Sequence, residues 1–271
     1  MIYNTKDSIA QWMKEGAKPA LHAITGESKT WSKIGGSPNL EKSQSWPTWK
    51  GKPLSFLAQL DFSEMAAVAS VPDFPKTGRI LFFYDQEQST WGFDPKDEGS
   101  WRVLFQNNVS SDDTSTDLPR GLDENYIYIE RPIGFHLIQS YPDSLSRIKT
   151  DYKALSESEW DELIEMKMGC YGEQPKHQIG GYPCAVQDDS MELECQLASN
   201  GVYCGDPSGY KDPRRQALEH GKDDWILLFQ LDSDDDAGMM WGDAGTLYFW
   251  IRRQELLLSD FSKVWMILQC G

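Results

Sequence analysis

The chain has 271 residues, enough for one large domain or two small ones, and its 39% hydrophobic content with 12% aromatics supports a substantial core. Asp and Glu number 42 against 26 Lys and Arg, giving a formal net charge of −16. A surface of that sign repels phosphate backbones and anionic lipid, which argues against nucleic-acid and membrane partners and leaves a basic protein as the natural partner. No run approaches the roughly 18 apolar residues of a membrane span, and MIYNTKDSIAQWMKEG lacks a signal-peptide core, so a cytoplasmic location is expected.

In chain order, Asp7 or Ser8 opens a helix over IAQWMKE that Gly16 closes, within a lead-in spanning 1–30. The turn KIGGSP at 33–38 follows. Then come three apolar runs, PLSFLAQLD (53–61), GRILFFYD (78–85) and SWRVLFQ (100–106), which read as strands covered on both faces. After the first of them Ser63 is placed to cap a short helix, EMAAVA. Ser156 and Glu159 form a capping box ahead of Trp160, Leu163, Ile164 and Met168. QIGGYP at 178–183 then repeats the glycine turn. Ser190 starts a helix over MELECQLASN, and Asp212-Pro213 starts another through RRQALEH. Three more apolar runs close the chain: WILLFQLD (225–232), GTLYFWI (245–251) and KVWMILQ (263–269).

The order turn, strand, strand, strand therefore occurs twice. Gly35 matches Gly180, Gln59 matches Gln230, Gly78 matches Gly245 and Trp101 matches Trp265, with offsets that differ only by loop lengths. The expectation is one α+β domain over 1–271, internally duplicated, with β-rich halves at 31–150 and 151–271 sharing a core and helices at the periphery. Five cysteines without a Cys-x-x-Cys pair read as reduced thiols rather than a disulfide framework or a zinc site.

The run LLFQLDSDDDAGMMWGDAGTLYFWIRRQELLLSDFSKVWMILQC, with PLSFLAQLD, TWGFDPKDEGSWRVLF and IGGYP, resembles the bacterial YwqG-like family, a domain family of unknown function. The resemblance extends from about Trp31 to Gly271. It implies a cytosolic α+β protein and carries over no activity, cofactor or catalytic residue.

Candidate site residues are read from the duplication and its asymmetries. Gln59 and Asp61, and likewise Gln230 and Asp232, leave one face of their strands, so a pseudo-twofold would bring them to a common polar cleft; the plainer reading is that Gln serves edge backbone and Asp ends each strand. Gly180 and Gly181 mark a reversal needing positive φ rather than a phosphate loop. His177, opposite Ser32 in the first copy, is the asymmetric residue. Asp232, Asp234 and Asp236 begin like a calcium loop, but Ala237 stands where an EF-hand needs glycine and Asp243 replaces its glutamate, so no metal is favoured. Trp241 is a core lid or a recognition anchor. No motif implies a cofactor and no nucleophile motif appears. These residues favour a non-enzymatic binding protein for a protein or small polar ligand, with a metal-dependent hydrolase around the 232–243 loop as the alternative.

Overall fold

A computed structural model of the chain describes residues 13–26, 30–107, 109, 114–142 and 156–271. The strands are β1 (Lys18–Thr25), β2 (Lys33–Ile34), β3 (Thr48–Trp49), β4 (Lys52–Pro53), β5 (Ser55–Asp61), β6 (Arg79–Tyr84), β7 (Trp101–Gln106), β8 (Arg131–Ser140), β9 (Gln178–Ile179), β10 (Trp225–Asp232), β11 (Thr246–Arg252) and β12 (Trp265–Gln269). Apart from the β3–β4 hairpin they form one antiparallel sheet in the order β12-β11-β10-β9-β1-β8-β2-β5-β6-β7. The helices are short: α1 (Phe62–Val68), α2 (Glu157–Gly169), α3 (Met191–Ala198), α4 (Arg215–Leu218) and α5 (Arg253–Leu257).

This corrects the expected class. The protein is mostly β, one nearly closed, barrel-like antiparallel sheet, and not a pair of balanced α+β halves. The splice is β1, which lies in the expected lead-in yet pairs with β8 on one side (His22 opposite His136) and with β9 on the other (His22 opposite Gln178). Neither β1 nor β8 is an uninterrupted apolar run. Pro19 in β1 and Pro132 with Gly134 in β8 are residues that ordinarily demote a segment from strand status, and only long-range pairing makes these two the centre of the sheet.

Six strands do fall on the six apolar runs. Every residue of β5, β6 and β12 is buried, a pattern typical of parallel sheets. Here the sheet is antiparallel, and the second burial arises because it curls on itself: Phe82 of β6 packs against Phe229 of β10 and Phe249 of β11, each with ring centroids 4.9 Å apart. That face is the interior. The opposite face of β5–β7 carries Leu54, Phe56, Leu81 and Phe83 under Leu40, Trp46 and Trp49.

The helices lie where the local signals put them, but two of the expected caps, Ser63 and Ser190, do not form. The α1 N-cap is Asp61, whose carboxylate accepts from the Ser63 and Glu64 N–H groups, so the last strand residue starts the helix and Ser63 lies inside it. Ser190 precedes α3, but its hydroxyl bonds to Asp188 and Glu194 rather than capping. Of the N-terminal helix, residues 13–16 are helical and Met13 is fully buried; the caps at 7 and 8 lie outside the described residues, as does the side chain of Glu159.

Candidate functional site

The two glycine turns sit in matching environments. Gly35 and Gly36 have φ of 63° and 72°, Gly180 and Gly181 of 69° and 71°, the left-handed region that favours glycine. A Cβ on Gly35 would collide with the Ile129 carbonyl, and one on Gly181 with the Ser140 side chain and Ala20. In both turns the geometry fixes chain direction next to β8 and β1; no phosphate cradle is formed.

Each turn is tied to its neighbouring strand by a buried glutamine. Gln59 accepts from the Asn39 N–H (2.9 Å) and donates to the Trp31 carbonyl (2.8 Å) and Asn39 Oδ1 (3.0 Å). Gln230 accepts from the Cys184 N–H (2.8 Å) and donates to the Lys176 carbonyl (2.7 Å). A second pair completes the arrangement: Gln106 donates to the Asn39 carbonyl, and Gln269 accepts from the Val186 and Gln187 N–H groups. The shared Gln ending WRVLFQ and KVWMILQ is the signal that could have revealed this second pair. All four are essentially fully buried, so their amides satisfy the loops that cover the outer face of the sheet.

Gln59 and Gln230 do not meet. They lie on β5 and β10, five strand positions apart whichever way the ten-stranded ring is counted, and both point away from the interior. With strands roughly 4.8 Å apart this places them on opposite sides of the barrel. Asp61 faces a buried Arg79 at 3.7 Å, while Asp232 accepts from Thr246 Oγ1 (2.7 Å) and the Lys176 N–H (2.9 Å).

His177 is completely buried. Its Nδ1 accepts the Asp232 N–H at 3.1 Å, so the ring proton is on Nε2, which donates to Asp234 Oδ2 at 3.3 Å. Next to the first glycine turn, Ser32 Oγ accepts the Asp61 N–H at 2.9 Å. His177 and Ser32 therefore do one job, satisfying the N–H of the strand-ending Asp, and the imidazole adds the link to Asp234. Burial alone would raise the Asp234 carboxyl, yet the hydrogen bonds from His177 and the Ala237 N–H outweigh it and hold the group below its ordinary value. Both imidazole nitrogens are occupied and neither is exposed, so the pair is not arranged as a general base.

The acidic turn is divided in the same way. Asp234 caps the 3-10 turn Asp235–Ala237, Asp236 is exposed and pairs with Arg131 at 3.2 Å, and the exposed Asp243 lends its carbonyl to the Gly271 N–H. Among the described residues no group of three or more His, Cys, Asp or Glu is placed to hold a metal ion. Trp241 is fully buried, donates to the Asp232 carbonyl at 3.1 Å and packs edge-on against Tyr84 and Tyr128. The five cysteines are free thiols. Burial pushes Cys170 up to about 11 and Cys204 to about 12, so neither is a thiolate nucleophile at neutral pH.

A cleft that sequence reasoning missed lies where the two sheet edges meet. No ladder joins β7 to β12; tryptophans hold the seam instead. Trp101 donates to the Val264 carbonyl and Trp265 to the Gly92 carbonyl, each at 2.8 Å, with the two rings edge-on at 4.9 Å. Beside them opens a cleft of about 580 Å³. Its walls include Arg102 on β7, Ser199 and Asn200 after α3, Arg252 and Glu255, and the 261–265 segment. Arg252 is held firmly: it stacks 4.3 Å over Trp225, donates to Ser199 Oγ (3.0 Å) and Gln196 Oε1 (3.3 Å), and pairs with Glu255 (3.4 Å). The second carboxylate oxygen of Glu255 is buried without a hydrogen-bond partner.

These features define a mostly β, barrel-like domain with a polar cleft at its seam. Residues 32–270 match the family described as a domain of unknown function, DUF1963, and the chain belongs to that family. Comparison with curated proteins finds no match. No helix among the described residues is long and apolar enough to cross a membrane.

Proposed function

We propose that the chain is a non-enzymatic binding protein for a small polar ligand, seated in the seam cleft between β7 and β12. The observation that carries this reading is the cleft itself. Its volume lies in the range of small-molecule sites, and it combines a tryptophan floor with a few convergent polar groups. The residues first singled out from the sequence supply no competing site, because Gln59, Gln230, His177 and Asp234 direct their polar atoms to the protein's own backbone and side chains. The hydrolase alternative around 232–243 loses support for the same reason, since Asp232 and Asp234 are engaged in capping and Asp236 in an ion pair. We further read the chain, on the resemblance of its C-terminal run to the YwqG-like proteins, as a bacterial protein of the cytoplasm.

The test is a thermal-shift screen of small polar compounds on the full chain and on Ser262→Trp. Ser262 is an exposed residue of the cleft wall, so the substitution fills the mouth without entering the core. Compounds that raise Tm should do so in the native chain and lose the effect in the variant. Equal shifts in both proteins would remove the cleft from consideration.

A further inference from the structure

We infer that the ligand of the seam cleft is a small anion bearing a carboxylate or phosphate group, attracted and oriented by Arg102 and Lys263; this rests on the reading of the cleft as a ligand site. In a chain with 42 acidic and 26 basic residues, a cation has no shortage of carboxylates to pair with. Lys33, Arg79, Arg131, Arg214, Arg215, Arg252 and Arg253 all do so. Arg102 and Lys263, both exposed, are among the cations that make no ion pair among the described residues, and what sets them apart is that both line the same cleft, from β7 and from the neighbouring 261–263 turn. Among the described residues the Arg102 guanidinium makes one hydrogen bond, a long contact of 3.5 Å to the Trp101 carbonyl.

Charge on the cleft walls runs against the rest of the molecule. Arg102, Arg252 and Lys263 face Glu98 and Glu255, and Glu255 is already held by Arg252. The local balance is positive within a protein of net charge −16. A guanidinium offers a planar fork that matches carboxylate and phosphate oxygens, and an ammonium adds a mobile point charge. Trp101, Val264 and Trp265 give the same cleft an apolar part against which the carbon skeleton of such a ligand can rest. A polyanion such as nucleic acid would extend beyond the cleft and meet the acidic surface, whereas a compact anion is confined to the positive region.

The experiment is isothermal titration of the full chain at low ionic strength with pyrophosphate and malonate, which separate the phosphate and carboxylate sources, and with glucose and putrescine as uncharged and cationic comparators. The expected result is that one of the two anions binds, that added salt weakens it, and that the double variant Arg102→Ala/Lys263→Ala binds about tenfold or more weakly. Both side chains are exposed, so Tm of the double variant should match that of the native chain, which separates lost binding from lost folding. Undiminished anion binding by the double variant overturns the assignment. Binding of glucose or putrescine that Ser262→Trp abolishes, with neither anion binding, overturns the anion and leaves the cleft reading standing. Binding by none of the four overturns both.

Discussion

Glu194, on α3, gives the fold a measurable pH dependence. It is 5% exposed; one carboxyl oxygen accepts from Tyr210 (2.8 Å) and Ser190 (3.1 Å), and the other is buried without a partner. Burial is the main cause that lifts its pKa from an ordinary 4.5 to about 7, and the nearby Asp188 and Glu192 add to the rise. The native state thus holds a proton that the unfolded chain has released, so this group lowers stability as pH rises from about 4.5 to about 7, with no further change above. Each tenfold difference in proton affinity between the folded and unfolded chain is worth ~1.4 kcal/mol, so the ionised carboxylate costs about 3 kcal/mol at pH 8. Glu194→Gln removes the charge and keeps the acceptor facing Tyr210 and Ser190, at the expense of a buried amide N–H₂ where the orphan oxygen stood. Urea denaturation of both proteins between pH 5 and pH 8.5 should show the variant equal to or slightly below the native chain at pH 5, and above it by about 1–3 kcal/mol at pH 8. The difference between the two curves isolates this group from the other titrating residues. A constant difference across the pH range would refute the reasoning.

The buried glutamines should behave alike although their sequence surroundings differ: Gln59→Ala and Gln230→Ala should each cost about 2–4 kcal/mol in urea denaturation, because each strands several buried backbone partners. Hydrogen exchange should quicken at the Asn39 amide in the first variant and at the Cys184 amide in the second. His177→Ala should also lose about 2–4 kcal/mol, leaving the Asp232 N–H and Asp234 without their partner, whereas an effect confined to ligand binding would contradict its structural role. Gly35→Ala should lower stability well beyond Gly26→Ala: both need positive φ, but only Gly35 faces a backbone carbonyl that cannot move aside. Millimolar calcium, magnesium, manganese or zinc should leave Tm unchanged; a clear shift that Asp234→Asn abolishes would restore the metal reading of the acidic turn.

Much of this protein was legible locally. Six strands follow from six apolar runs, because residues such as those of RILFFY and TLYFWI have few alternatives to burial in a sheet. The positive-φ glycine turns follow from Gly-Gly before proline two residues on, and the positions of α2 and α3 from the spacing of their apolar residues, although the Ser190 hydroxyl does not cap α3. The sequence also paired Trp101 with Trp265 and Gln59 with Gln230 as equivalent positions. Equivalence is not contact, and here the tertiary structure decided opposite outcomes. The tryptophans end up ring against ring, because the sheet curls until its two edge strands meet and a seam without a ladder needs side chains to hold it. The glutamines end up on opposite sides of the barrel, because β1 and β8, two proline-bearing segments with no strong strand signal, come between them and carry each arm away from the other. The class was misjudged for the same reason: helices carry local signals of spacing, whereas β1 and β8 become strands by pairing with each other across more than a hundred residues.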